Sequence, residues 1–165
     1  MKKDYDWFRK INELASQNNW LDRLGVFFAE YSGFIMVIYL VFLLWKNELD
    51  QDLFFRAIAL SFFSRFVLLK VIRRFIVRSR PFTDHNVNLL IRRLTDQSFP
   101  SGHSTFFFTL SFVIWFYNQE VGSWMLLNSF LIGLSRVFVG VHYPLDILGG
   151  SFLGYLVAFI NKKFW

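Results

Sequence analysis

Long stretches of this chain carry no charged side chain: residues 31–45, 104–119, 123–135 and 147–160. A water-soluble helix needs charge on its outer face. Uninterrupted apolar runs that approach the 17–25 residues of a bilayer crossing point instead to helices surrounded by lipid. Apolar residues make up 55% of the sequence, and its 23 phenylalanines and six tryptophans suit acyl chains and membrane interfaces. The fold class is therefore all-α, an integral membrane helical bundle, with 1–165 forming a single domain.

Composition narrows the chemistry. With no cysteine, thiolate catalysis, disulfides and cysteine-ligated metals are excluded. The net charge of +6 in so hydrophobic a chain points to acidic lipids or phosphorylated substrates and away from nucleic acid. Residues 1–20 mix charges with Trp7, Phe8, Ile11 and Leu14, too polar for a signal-peptide core. They read as an amphipathic helix lying in the interface.

Hydropathy predicts five membrane spans, over residues 21–45, 53–77, 102–117, 123–139 and 145–160, with a polar stretch at 78–100 between the second and third. Short connections make neighbouring helices antiparallel. The end of the second span, the start of the third, the end of the fourth and the start of the fifth then emerge at one face. Those four places carry Arg73, Arg80 and Pro81; Ser101, Gly102 and His103; Ser135 and Arg136; and His142 and Asp146. Hydropathy does not require that clustering, and it implies one site.

Convergent arginines suit a phosphate, because each planar guanidinium matches two phosphoryl oxygens. Arg92 and Arg93, further along the polar stretch, read as contacts to lipid headgroups. Pro100-Ser101-Gly102-His103 reads as a turn opening a helix whose first amides attract an anion; the same residues also make an ordinary helix cap. In His142-Tyr143-Pro144-Leu145-Asp146 the proline opens a helix and puts Asp146 in its first turn, within reach of His142. A carboxylate on one ring nitrogen leaves the other as a nucleophile, and His103 is placed to act as general acid. His85, without such neighbours, reads as an interfacial side chain.

These residues resemble the three motifs of the type 2 phosphatidic acid phosphatase superfamily. The first, a lysine, six residues and Arg-Pro, reads here Arg73, six residues, Arg80-Pro81. The second is Pro100-Ser101-Gly102-His103. The third is Ser135-Arg136, five residues, His142, three residues and Asp146. The resemblance spans 73–150 and implies a metal- and cofactor-independent membrane lipid phosphatase, with His142 as nucleophile, His103 as acid and Asp146 as orienter. Arg73, Arg80, Ser101, Gly102 and Arg136 hold the phosphate. Arginine replaces the lysine of the first motif, so Lys70 and Arg74 are alternatives to Arg73 for that role. The linker around Pro81, Phe82, His85 and Ser98-Phe99 is similar to that of bacterial undecaprenyl-diphosphate phosphatases, with lipid A 1-phosphatases and phosphatidylglycerophosphate phosphatases as alternatives. From another class, a phosphorylated-lipid binding or transport protein needs the arginines but not both histidines.

Some charges fall outside the motifs. Glu30 is buried in the first span, and its expected partner is Lys70, with Arg74 shallower; orienting a basic residue near the pocket and pairing two helices are both open roles for it. Arg65 lies deeper, with no partner legible. Gly150 and Gly154 are spaced for close helix packing. The resemblance implies a multi-pass protein of the inner (cytoplasmic) membrane with its site on the extracytoplasmic face. Lys and Arg are more frequent on that motif face than on the other, the opposite of the usual bias.

Overall fold

A computed structural model describes residues 2–91 and 97–164; Arg92 and Arg93 lie outside them. Helix α1 spans Lys2–Asn12, α2 Asn19–Glu30 and α3 Ser32–Trp45. Next, α4 (Gln51–Phe63) passes through a π-turn at Ser64–Leu68 into α5 (Leu69–Phe75). The short α6 (Pro81–Asp84) precedes α7 (Gly102–Trp115), α8 (Gln119–Phe138) and α9 (Pro144–Phe164). The described residues hold no strand, only an isolated bridge between Ser79 and Gln97.

Local chemistry sets the helix starts. The side chains of Asn18, Asp50, Ser101 and Asn118 accept hydrogen bonds from first-turn amides of α2, α4, α7 and α8. Pro81 and Pro144 open α6 and α9, where a missing N–H costs nothing. By length and composition, α8 and α9 each suffice to cross a bilayer, and α2 with α3 make a third crossing if taken as one span bent by 51°. The continuous helix expected over 21–45 is thus broken at Tyr31. There the Arg136 side chain reaches in from α8 and donates to the Ala29 carbonyl at 3.1 Å, an identifiable cause of a bend.

Helix α7 is the centre of the molecule, packed against α8, α9 and α4. Phe106, Phe108, Leu110, Val113 and Ile114 are buried along it. Where lipid surrounds a bundle, apolar burial drives helix association weakly, and close packing with interhelical hydrogen bonds takes over. Gly150 and Gly154 show this: a Cβ on Gly154 would lie 2.7 Å from the Thr109 amide nitrogen, and one on Gly150 2.9 Å from the Ser101 carbonyl. Hydroxyl pairs tie α7 to its other neighbours, Thr109 to Ser64 at 3.0 Å and Ser111 to Ser129 at 2.8 Å.

The amino-terminal helix is amphipathic, and its buried face packs on the protein. Its inward stripe is Asp4, Phe8 and Asn12, all buried, and two of the three are polar because they bind protein. Asn12 donates to the carbonyls of Phe138 (2.8 Å) and Asn88 (2.9 Å), and Phe8 packs edge-on against Tyr143. Trp7 remains exposed. Helix α1 therefore caps the loop between α8 and α9.

Candidate active site

His142 belongs to that loop, which turns sharply enough to need Gly140 at φ +88°. Its imidazole is buried, at 1% exposure. The Nδ1 atom lies 3.4 Å from Asp146 Oδ2 and 3.3 Å from Ser98 Oγ, and Ser98 in turn donates a short hydrogen bond to Asp146. One ring nitrogen is thus committed to the protein, leaving Nε2 for chemistry. Burial disfavours the imidazolium and lowers the His142 pKa from 6.5 to about 4; the Asp146 carboxylate opposes the shift, and Arg80 and Arg136 add to it. At neutral pH the ring is uncharged and nucleophilic.

Asp146 is fully buried and fully engaged. Oδ2 accepts from the Tyr143 amide at 2.8 Å, folding the first turn of α9 back on itself, and Oδ1 accepts from Arg78 Nη1 at 2.8 Å. Arg78 also pairs with Asp4 and covers the Tyr143 ring at 4.1 Å. Asp4 accepts from the Leu145 amide at 3.0 Å. An array from α1 to His142 results: Asp4, Arg78, Asp146, His142.

The second motif joins this group through its main chain, where the Ser101 amide donates to the Asp146 carbonyl at 3.0 Å. Ser101 Oγ accepts from the Ser104 amide at 3.4 Å, so it caps α7. Gly102 and His103 follow in the first turn, partly exposed. Of the three candidates for the first-motif cation, Arg73 turns inward, donating to the Pro100 carbonyl at 2.9 Å, whereas Lys70 and Arg74 are exposed on other faces of α5. Arg80 is buried with Nη1 3.4 Å from the Val141 carbonyl, next to His142. Arg136, also buried, pairs with Glu30 at 2.9 Å. In place of the expected Lys70 or Arg74, the structure pairs Glu30 with Arg136 of α8.

An apolar cavity of about 530 Å³ leads away from the site between α2–α3, α4 and α7. Its walls are mostly aromatic and aliphatic, with three polar side chains among them. Helix α4 lines it with Phe54, Ile58 and Phe62 and then Arg65; α3 supplies Val37, with Glu30 at the end of α2; α7 supplies Phe107, then His103. The three polar residues are Glu30, Arg65 and His103, and the rest of the lining is apolar.

Four residues here escape sequence reasoning. Ser98 and Asp4 act through tertiary contacts to which no local pattern points. Arg78 groups by pattern with arginines that face headgroups, although its position two residues before Arg80 offers a signal. Arg65 stands out in the sequence as a charge without a role.

The chain matches the PAP2 superfamily over residues 54–165. It belongs to that superfamily, and it is a membrane phosphatase. It is 34% identical to the bacitracin transport permease protein BcrC of Bacillus licheniformis, over 97% of this chain and 78% of that protein. It is 29% identical to the undecaprenyl-diphosphatase BcrC of Bacillus subtilis (strain 168), over 98% and 83%. The solved structure of Aquifex aeolicus LpxE is similar with a TM-score of 0.77 at 28% identity, covering 96% of this chain and 94% of that one.

Proposed function

We propose that this PAP2 phosphatase hydrolyses a long-chain prenyl diphosphate, undecaprenyl diphosphate, to the monophosphate through a phosphohistidine at His142. The observation that carries this reading is a buried, neutral imidazole with one nitrogen held by Asp146 and Ser98, in a protein whose other motif histidine, His103, lines an apolar cavity. The similarity to a named undecaprenyl-diphosphatase over nearly the whole chain supports the substrate.

Arg73, Arg80 and Arg136, with the amides opening α7, bind the terminal phosphoryl oxygens and stabilise the charge that develops on them. His142 Nε2 attacks the terminal phosphorus. The P–N bond forms as the bridging P–O bond breaks, and the electron pair stays on the oxygen that remains with the lipid phosphate. His103 gives that oxygen a proton. A water then attacks the phosphohistidine as His103 takes its proton; the P–O bond forms, the P–N bond breaks with its electron pair returning to Nε2, and inorganic phosphate departs. The protein is read as crossing the inner membrane five times: α2–α3, α4–α5, α7, α8 and α9. The chemistry is assigned to the extracytoplasmic face.

Phosphate release from undecaprenyl diphosphate by detergent-purified protein, with chelator present, is the test. Activity that falls at least ~10²-fold in His142→Ala supports the mechanism; release that persists in the variant sinks it. The name of the Bacillus licheniformis relative favours a second reading, transport. Flux of a lipid or peptide across vesicles that survives His142→Ala would select it.

A further inference from the structure

Arg65 is the one charged residue between Arg56 and Lys70, in the apolar middle of the α4–α5 span, a costly placement in a membrane that calls for a function. It belongs to the π-turn that interrupts α4 and α5, a local widening that often marks functional sites. The preceding residue anchors that turn: Ser64 Oγ bonds to the Ser61 carbonyl at 2.9 Å and to Thr109 of α7 at 3.0 Å. The Arg65 Cα lies roughly 12 Å below Arg73 along the helix, and its side chain reaches toward the start of α7. A Cβ on Gly102 would be 3.8 Å from the guanidinium carbon and 3.9 Å from Nη1. Arg65 and His103 both line the tail cavity, whereas Arg73, Arg80 and Arg136 do not.

We propose that Arg65 binds the lipid-side phosphate of a diphosphate substrate and so makes the site selective for diphosphates. This rests on the prenyl-diphosphate reading above. Three arginines surround the position of the terminal phosphoryl; the second phosphate must lie between that position and the tail, where His103 meets the cavity. Arg65 is the cation at that place. When the bridging P–O bond breaks, its electron pair moves onto the lipid-side phosphate, and a guanidinium beside it offsets that charge while His103 delivers its proton. A monophosphate substrate leaves as an alcohol and has no group for Arg65 to meet.

The test uses Arg65→Gln and Arg65→Lys in detergent with undecaprenyl diphosphate as substrate, and two product inhibitors: undecaprenyl monophosphate and inorganic phosphate. Arg65→Gln is expected to lose about tenfold or more in kcat/KM and to weaken inhibition by the lipid monophosphate to a similar degree, with inhibition by inorganic phosphate unchanged. Arg65→Lys, which keeps the charge without the fork, is expected to fall between, and it carries the test if Arg65→Gln does not fold. Equal weakening of both inhibitors, or of neither, overturns the assignment while the function stands. Wild-type protein that releases no phosphate from the diphosphate overturns the function and this assignment with it.

Discussion

At the scale of single residues, the state of His142 is the first thing to measure. Its pKa is lowered in the folded protein, so the ring stays neutral as pH falls through 6.5 and gains its proton near 4. Between these values the unfolded chain binds the proton that the folded chain refuses. Stability therefore falls as pH drops across that window and levels off below it. The protein has three histidines, few enough to resolve by NMR of isotope-labelled side chains, with His85→Gln and His103→Gln used for assignment. A His142 midpoint at or above 6.5 would contradict burial as the dominant influence. Asp4 offers a second test, since it acts on His142 through Arg78 and Asp146. Asp4→Asn weakens the hold on Arg78, and kcat is expected to fall about tenfold, ~1.4 kcal/mol of transition-state stabilisation, with KM unchanged. A rise in KM alone would mean that Asp4 serves binding. These two residues also show what was legible. His142 and Asp146 are four apart on one turn, so their partnership could be read locally. Ser98 meets Asp146 across 48 positions of the chain, and Asp4 reaches it through Arg78, 74 positions from Asp4; no local pattern encodes such a meeting. Arg73 is set apart from Lys70 and Arg74 only by the phase of α5.

Among elements, the pairing of α7 with α9 decides whether the second and third motifs meet. The glycine spacing that announces it is readable, because only a missing side chain allows backbones so close. A Cβ on Gly150 would come within 3.0 Å of the Ser101 carbonyl, the Ser104 Cβ and the Thr105 amide, and two of these three are backbone atoms that cannot swing aside. Gly150→Ala is expected to cost about 1–3 kcal/mol and to lower kcat by parting the Ser101–Asp146 contact. Thermal melts in detergent read the first effect and steady-state phosphate release the second; intact kcat would show that the contact tolerates displacement. Less legible are the breaks. Hydropathy presents α2–α3 and α4–α5 as unbroken spans, since it counts apolar residues and is blind to a guanidinium entering from a neighbouring helix or to one extra residue in a turn. Both breaks border the site, one supplying Glu30 and the other Arg65.

For the whole molecule, sidedness is the property to settle. The motif face holds several arginines bound within the protein rather than to a leaflet: Arg73 by Pro100, Arg78 by two carboxylates, Arg80 by loop carbonyls and Arg136 by Glu30. Such residues are occupied, which weakens the charge-bias argument for a cytoplasmic site. With no native cysteine, single substitutions report directly. Asn86→Cys, exposed near the motifs, is expected to react with a membrane-impermeant maleimide on intact cells, and Glu48→Cys, exposed at the opposite turn, only after lysis. The reverse pattern would place the site in the cytoplasm.

The contact between Asp4 and the Leu145 amide joins the first helix to the last across 141 positions. A nascent chain inserting helix by helix holds its arginines and His103 in the bilayer before α9 has been made. Only when α9 is in place and α1 has docked over it is the array around His142 complete. Under the proposed mechanism biogenesis thus acts as a safety catch, because a truncated or half-inserted chain lacks the complete array.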